Sequence, residues 1–262
     1  MENDFIHDFN QLMSEHHPEK RYEGKAKILY STADSDVLLT YFKDDATAFN
    51  AQKKGTIQGK GEMNCTIAAA LLQWLETQGI PTHFIEQTKA DEMLVKAVKI
   101  LPVEVVVRNI AAGSLCKQTG LAQGTVLPQP LVEFYLKDDN LGDPLLTRDR
   151  LMLLQIVTAE QLAQLQDYAL RINGLMQGFF ARCQITLVDF KIEFGTDKTG
   201  TILLADEISP DTCRLWDQTE TDPNLRVMDK DRFRQDLGNI ENAYQTVQAR
   251  VLAQVQQLQS LA

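Results

Sequence analysis

Apolar and polar positions change their period several times along the chain, and each change marks a predicted element. From Tyr22 to about Phe49, short runs rich in β-branched and aromatic residues, EGKAKILYS and DVLLTYF, are separated by the turn-forming TADS. That pattern predicts a small antiparallel sheet. Between residues 62 and 78 (EMNCTIAAALLQWLETQ) the apolar positions move to a 3.6-residue period and stop at Gly79, with Pro81 just beyond, as a helix and its terminator do. KILPVEVVVRN is almost continuously β-branched and reads as a buried strand, while the small residues of AAGSL after it suit a turn into a helix. This segment is the expected junction between two halves.

The stretch LPQPLVEFYLKDDNLGDPLL reads as loop. Residues 158 to 182 read as one long helix, opening on a capping box formed by Thr158 and Gln161. ITLVDFKIEFG and TILLADEIS, joined by the short turn TDKTG, predict a β-hairpin. Near the C-terminus Leu237, Ile240, Tyr244, Val247, Val251, Val255 and Leu258 fall on one helical stripe, which suits core packing or, as the alternative, a homodimer contact. The first residues, with Phe5, Phe9, Leu12 and Met13 at helical spacing, read as an amphipathic extension without chemistry. The whole is α+β: an extension over residues 1–19, a β-rich lobe over 20–100 and a larger lobe over 101–262. With no repeat or long linker, the two lobes are expected to be in close contact.

Composition narrows the picture. The chain has 262 residues, 44% of them hydrophobic, enough for a substantial core. No apolar run approaches the roughly 18 to 20 residues of a membrane helix, and MENDFIHDF is acidic where a signal peptide is basic, so a cytoplasmic protein is expected. A formal charge of -10 argues against general binding to nucleic acid or anionic membranes, both of which need a basic face. Cys65, Cys116, Cys183 and Cys213 lie far apart and suggest neither a zinc site nor a disulfide framework. His83 is the one histidine outside the N-terminal tail, so histidine-based acid–base or metal chemistry is not expected.

Candidate chemistry lies first in the hairpin. Strand alternation sends Asp189, Lys191 and Glu193 to one face and Val188, Phe190, Ile192 and Phe194 to the other. The partner strand ends in Asp206 and Glu207, close to Glu193, so carboxylates gather that repel unless a cation sits between them. Magnesium, which favours oxygen ligands and usually takes one or two protein carboxylates, is one candidate; an ordinary solvated face is the alternative. In Glu23-Gly24-Lys25-Ala26-Lys27, two lysines at i and i+2 project from one side of a strand and suit phosphate, although the motif is not a P-loop and exposed edge-strand lysines are common. Arg108 with Ser114 after it, Arg214, Arg232 and Arg234 offer planar forks for carboxylates and phosphates; surface ion pairs are the plainer reading of each alone.

Taken together, LPVEVVVRNIAAGS and LVDFKIEFG resemble the two signature segments of SAICAR synthetases, and EGKAK, LADEISPDTCRLWD and MDKDRFRQDLG resemble further family segments in the same order, from about Tyr22 to Tyr244. The resemblance implies a two-lobed α+β fold with ATP in the cleft, the β-rich lobe over the nucleotide and the larger lobe holding an imidazole ribotide. It implies that Lys25, Ala26, Lys27 and Lys137 lie by ATP and that Glu193 and Asp206 hold Mg2+. Arg108, Ser114, Asp189, Lys191, Asp211, Arg214 and Arg234 are then expected around the ribotide or L-aspartate, with Lys191, Asp189 and Arg214 at the reacting centre. The implied reaction joins L-aspartate to the ribotide carboxylate through an acyl phosphate. Asn50 departs from the pattern, standing where some members have aspartate. A kinase-like phosphotransferase is disfavoured by the lack of HRDxxxxN and DFG motifs; a nucleotide-binding regulatory module is the other alternative.

Overall fold

Strand pairing divides the chain into two antiparallel sheets that share one core. The computed structural model describes residues 19–48 and 52–260; the N-terminal amphipathic segment and Asn50 lie outside them. The first sheet contains β1 (Lys20–Glu23), β2 (Lys27–Ser31), β3 (Val37–Phe42), β6 (Phe84–Lys89) and β7 (Glu92–Lys96), in the order β1-β2-β3-β7-β6. A separate ribbon pairs β4 (Asp45–Ala48) with β5 (Lys53–Thr56). Helix α1 (Lys60–Thr77) buries Met63, Ile67, Leu71, Leu72 and Leu75. Each fully buried leucine contributes about 2 kcal/mol of apolar transfer free energy, which explains why this face is held against the sheet.

The second sheet runs β10-β9-β8-β11-β12, built from β8 (Lys99–Ile110), β9 (Val126–Leu136), β10 (Leu145–Leu146), β11 (Ile185–Thr196) and β12 (Ile202–Ala205). β13 (Cys213–Asp217) pairs with the opening half of β11. Helices α2 (Ser114–Thr119), α3 (Arg148–Leu153), α4 (Ala159–Arg182), α5 (Asp231–Arg234) and α6 (Ile240–Gln259) complete the described fold. The predicted capping box is present: Thr158 Oγ1 accepts from Gln161 N at 3.1 Å and Gln161 Oε1 from Thr158 N at 2.9 Å. On α6, Tyr244, Val247 and Val251 are fully buried, and the helix packs on α1. One hydrophobic cluster runs from Leu71 and Val95 through Val105 to Phe190, Phe179 and Val251, so both sheets pack on the same core.

Three local expectations are corrected. The stretch read as loop contains β9, β10 and a 3-10 turn at Asp139–Leu141. Its prolines disguised the strand: β8 and β9 change register between Arg108↔Leu131 and Ile110↔Val126, and Pro128 and Pro130 fall in the extra residues, where no ladder N–H is needed. The alternation along β11 also slips, because the pairing with β13 shifts between Leu187 and Asp189. Leu187 and Phe190 therefore both join the main core, while Val188 packs with Ala112, Trp216 and Val227 in a second cluster. Lys25 lies on the bend between β1 and β2 rather than beside Lys27 on one strand.

The sheets are stitched where the chain enters β6. Thr82 bridges Leu204, Leu204 N donates to Pro81 O at 2.9 Å, and His83 N donates to Leu204 O at 2.9 Å. The His83 ring lies 3.0 Å from the Asp206 carbonyl, with burial and then the charge of Lys27 pushing its pKa down to about 4. His83 is thus neutral at ordinary pH and packs as structure.

Candidate active site

β11 is the spine of the site because it carries Asp189, Lys191 and Glu193 and pairs along its length with β8, β12 and β13. In register, Asp189 faces Arg108 on β8 and Arg214 on β13, Lys191 faces Val106, and Glu193 faces Glu104 and, on the other side, Ala205 at the end of β12. Asp206, just past the strand, turns with φ of 62°. A residue in this left-handed region breaks the strand's alternation and redirects the side chain that follows the ladder.

At one end of the site, carboxylates and lysines interleave. Lys191 Nζ lies 2.7 Å from Glu193 Oε1, 2.8 Å from Asp206 Oδ2 and 3.5 Å from Glu104 Oε1. Lys27 pairs with Asp206 and, at 3.0 Å, with Glu207, while Lys137 pairs with Glu193. Burial alone would lower the pKa of Lys191, but the charges of Asp206 and Glu193 outweigh it and hold the ammonium well above its ordinary range. Burial likewise works against the Asp206 carboxylate, yet Lys191 and Lys27 keep its pKa well below the usual value. Lys191 and Asp206 are therefore both charged at neutral pH. The cations between the carboxylates in this structure are lysine ammoniums, a solution that composition alone did not separate from a metal ion.

At the other end lies a cavity of about 290 Å³ lined by Arg108, Ser114, Asp189, Lys191, Arg214 and Arg234, among others. Arg108 is almost wholly buried and donates from Nε to Glu133 Oε2 at 2.6 Å, from one terminal nitrogen to Asp189 at 3.2 Å, and from the other to Ser114 Oγ at 2.9 Å and Tyr135 Oη at 3.1 Å. Arg214 donates to Asp189 Oδ2 at 2.8 Å and to Asp231 Oδ2 at 2.8 Å. Asp231 also accepts from Arg234 at 2.6 Å. Guanidiniums fixed in this way present their remaining N–H groups with little orientational freedom, which suits recognition of phosphate or carboxylate.

Gly113 lets Arg214 take its place. Its φ is +55°, and a Cβ there would lie 2.5 Å from a terminal nitrogen of Arg214. Gly113→Ala is expected to push Arg214 out of line and weaken the binding of an anionic acceptor roughly 10- to 100-fold, as the loss of a charge-assisted hydrogen bond does. Isothermal titration of the acceptor checks this, and unchanged affinity would refute the steric argument.

Other expected residues are distributed less simply. Asp211 lines the cavity, but its carboxylate accepts from Tyr244 Oη at 2.8 Å, Lys60 Nζ at 3.0 Å and Lys230 Nζ at 3.4 Å. Lys25 pairs with Asp139 at 2.6 Å across an exposed surface, and the carbonyl of Ala26 accepts from Lys43 N. Arg232 is buried and donates to the carbonyls of Asn224, Leu225, Val227, Leu237 and Gly238, so its work is to hold a loop. Sequence reasoning missed Glu104, Glu133, Tyr135, Asp231 and Lys60. Glu133 and Tyr135 stand at i and i+2, a signal hidden by the reading of that stretch as loop.

Fold and site together define an α+β protein that sets a lysine–carboxylate cluster beside an arginine-lined anion pocket. Residues 20–251 match the family described as SAICAR synthetase. A phosphoribosylaminoimidazole-succinocarboxamide synthase from Synechocystis sp. is 70% identical over 242 residues, covering 92% of each chain. The crystal structure of a protein of that name from Ehrlichia chaffeensis superposes with a TM-score of 0.86 at 42% identity, covering 90% of this chain and 99% of that one. A SAICAR synthetase solved in complex with ADP gives 0.84 at 43% identity, over 88% of this chain and 96% of that one. The chain belongs to the SAICAR synthetase family, and its two-part α+β architecture is the one those structures share.

Proposed function

We propose that this chain uses ATP to join L-aspartate to the carboxylate of 5-amino-1-(5-phospho-D-ribosyl)imidazole-4-carboxylate, giving the succinocarboxamide ribotide, ADP and phosphate. The observation that carries the reading is the position of Lys191. Its ammonium touches Glu193 and Asp206 at the lysine–carboxylate end while its side chain lines the arginine pocket. A phosphoryl donor in one and an anionic acceptor in the other would meet at this residue.

A carboxylate is a poor electrophile. In this reading its oxygen attacks the γ-phosphorus of ATP, ADP leaves, and the resulting acyl phosphate is attacked by the aspartate amine, releasing phosphate and a proton. Lys25, Ala26, Lys27 and Lys137 are placed at the nucleotide, where lysine ammoniums neutralise charge on the transferring group. Arg108, Ser114, Asp211, Arg214 and Arg234 are placed around the anionic groups of the ribotide or the incoming aspartate. Asp189 would fix Arg108 and Arg214, and Lys191 would steady the carboxylate as it is phosphorylated. Positioning and electrostatics of this kind need no histidine base.

Glu193 and Asp206 are the pair suited to Mg2+. Both turn oxygens toward one ammonium, and hard oxygen donors in such small number fit an ion that completes its shell with phosphate and water. Magnesium bound there would supply neutralising charge to the phosphates.

The test is ADP release by the purified protein with ATP, magnesium and the ribotide, with and without L-aspartate. ADP formation that depends on aspartate and is matched by succinocarboxamide product is expected. ATP binding without turnover would overturn the reading in favour of a regulatory module, and phosphorylation of another acceptor without aspartate would favour a phosphotransferase.

A further inference from the structure

The two cavity arginines that come from outside β8 are tied to a single carboxylate. Asp231 opens α5 and accepts from Arg214 Nε on one oxygen and from a terminal nitrogen of Arg234 on the other, at 2.8 and 2.6 Å. The bond to Asp231 is the one polar side-chain contact of Arg234 among the described residues. Asp231 is itself held from behind. The buried carboxyl of Asp229 accepts from Asp231 N at 2.8 Å and from Leu215 N at 2.7 Å, strapping α5 to β13 next to Arg214. Burial would raise the pKa of Asp231, but Arg214 and Arg234 hold it below the ordinary carboxylate value, so it remains an anion between them.

We infer that Asp231 is a positioning residue: by binding Arg214 and Arg234 through its two oxygens it aims both guanidiniums into the cavity and thereby sets the affinity for the anionic acceptor. Without that charge the two cations lose their common partner and repel each other. Arg214 retains Asp189 on its other side, while Arg234 loses its anchor. The loss falls on the acceptor pocket and spares the lysine–carboxylate end, because Asp231 makes no ion pair with Lys27, Lys137 or Lys191.

The inference rests on the function proposed above, and the test separates the two. Asp231→Asn keeps the shape of the side chain and one carbonyl oxygen. It is expected to raise the KM and the calorimetric Kd for the imidazole ribotide roughly 10- to 100-fold, the range for a lost charge-assisted hydrogen bond, with kcat within about threefold of wild type and the KM for ATP unchanged. In an Arg234→Ala background the same substitution is expected to cost several-fold less, because the guanidinium it positions is gone. An unchanged ribotide KM with only a lowered Tm, an equal rise for ATP and ribotide, or strictly additive effects in the double variant would each overturn the role. A wild-type protein that binds no ribotide would overturn the functional reading and this role with it. A wild-type protein that binds and turns over, with Asp231→Asn indistinguishable from it, would overturn this role alone.

Discussion

Lys191→Met is expected to lower kcat to roughly a thousandth of the wild-type value or less, the scale of effect seen when a fixed electrostatic contact to a transition state is removed. The side chain belongs to both halves of the site. Methionine keeps much of its length and apolar stem but leaves Glu193, Asp206 and Glu104 without the ammonium that lies within 3.5 Å of each. Three carboxylates in a partly enclosed space then repel one another. Breaking a buried ion pair from one side costs about 3 kcal/mol or more, so a fall in urea-derived stability of that order should accompany the loss of activity. Unfolding curves and ADP release on the same preparation separate the two effects. A variant that is destabilised yet turns over normally when folded would show Lys191 to be scaffolding.

Glu193→Gln should separate chemistry from acceptor binding. The glutamine carbonyl can still accept from Lys191 or Lys137, and the arginine pocket is untouched, but the negative charge is gone. Turnover is expected to fall about 100- to 1000-fold while the ribotide Kd, read by calorimetry, changes by less than about threefold. Raising magnesium should recover little of the rate. Near-normal turnover at saturating magnesium would remove Glu193 from the metal assignment, and a parallel loss of ribotide affinity would place it in the acceptor pocket instead.

The sequence exposed this site unevenly, and the reason lies in the range of the interactions. Asp189, Lys191 and Glu193 were visible because alternation along one strand is a local property. Thr158 with Gln161 was visible for the same reason, the capping box closing within four residues. The partners of those strand residues were not. That Arg108 and Arg214 both meet Asp189 follows from two separate strand registers, each interrupted by a shift. Asp211 gains Lys60 from 151 residues away and Tyr244 from 33, and nothing in the local pattern announces either contact. Fully buried Lys60 is also a residue that composition rules place on the surface unless it is paired. In β9 the error had another source: Pro128 and Pro130 are strong loop signals, and only the register shift against β8 shows that the strand continues around them.

The stitch between Pro81–His83 and Leu204 also bears on when the protein becomes whole during synthesis. The His83 ring meets the Asp206 carbonyl across 123 residues, and Lys27 meets the Asp206 carboxylate across 179. At about 5 to 20 residues per second, a ribosome needs roughly 6 to 25 seconds after releasing His83 before its partner exists. The N-terminal sheet must wait through that interval without its permanent neighbour, and α1 waits longer still for α6. Activity thus waits for the second sheet: a nascent chain stopped before β12 can own five paired strands and both lysines of EGKAK, yet hold neither of the carboxylates, Asp206 and Glu207, that Lys27 meets.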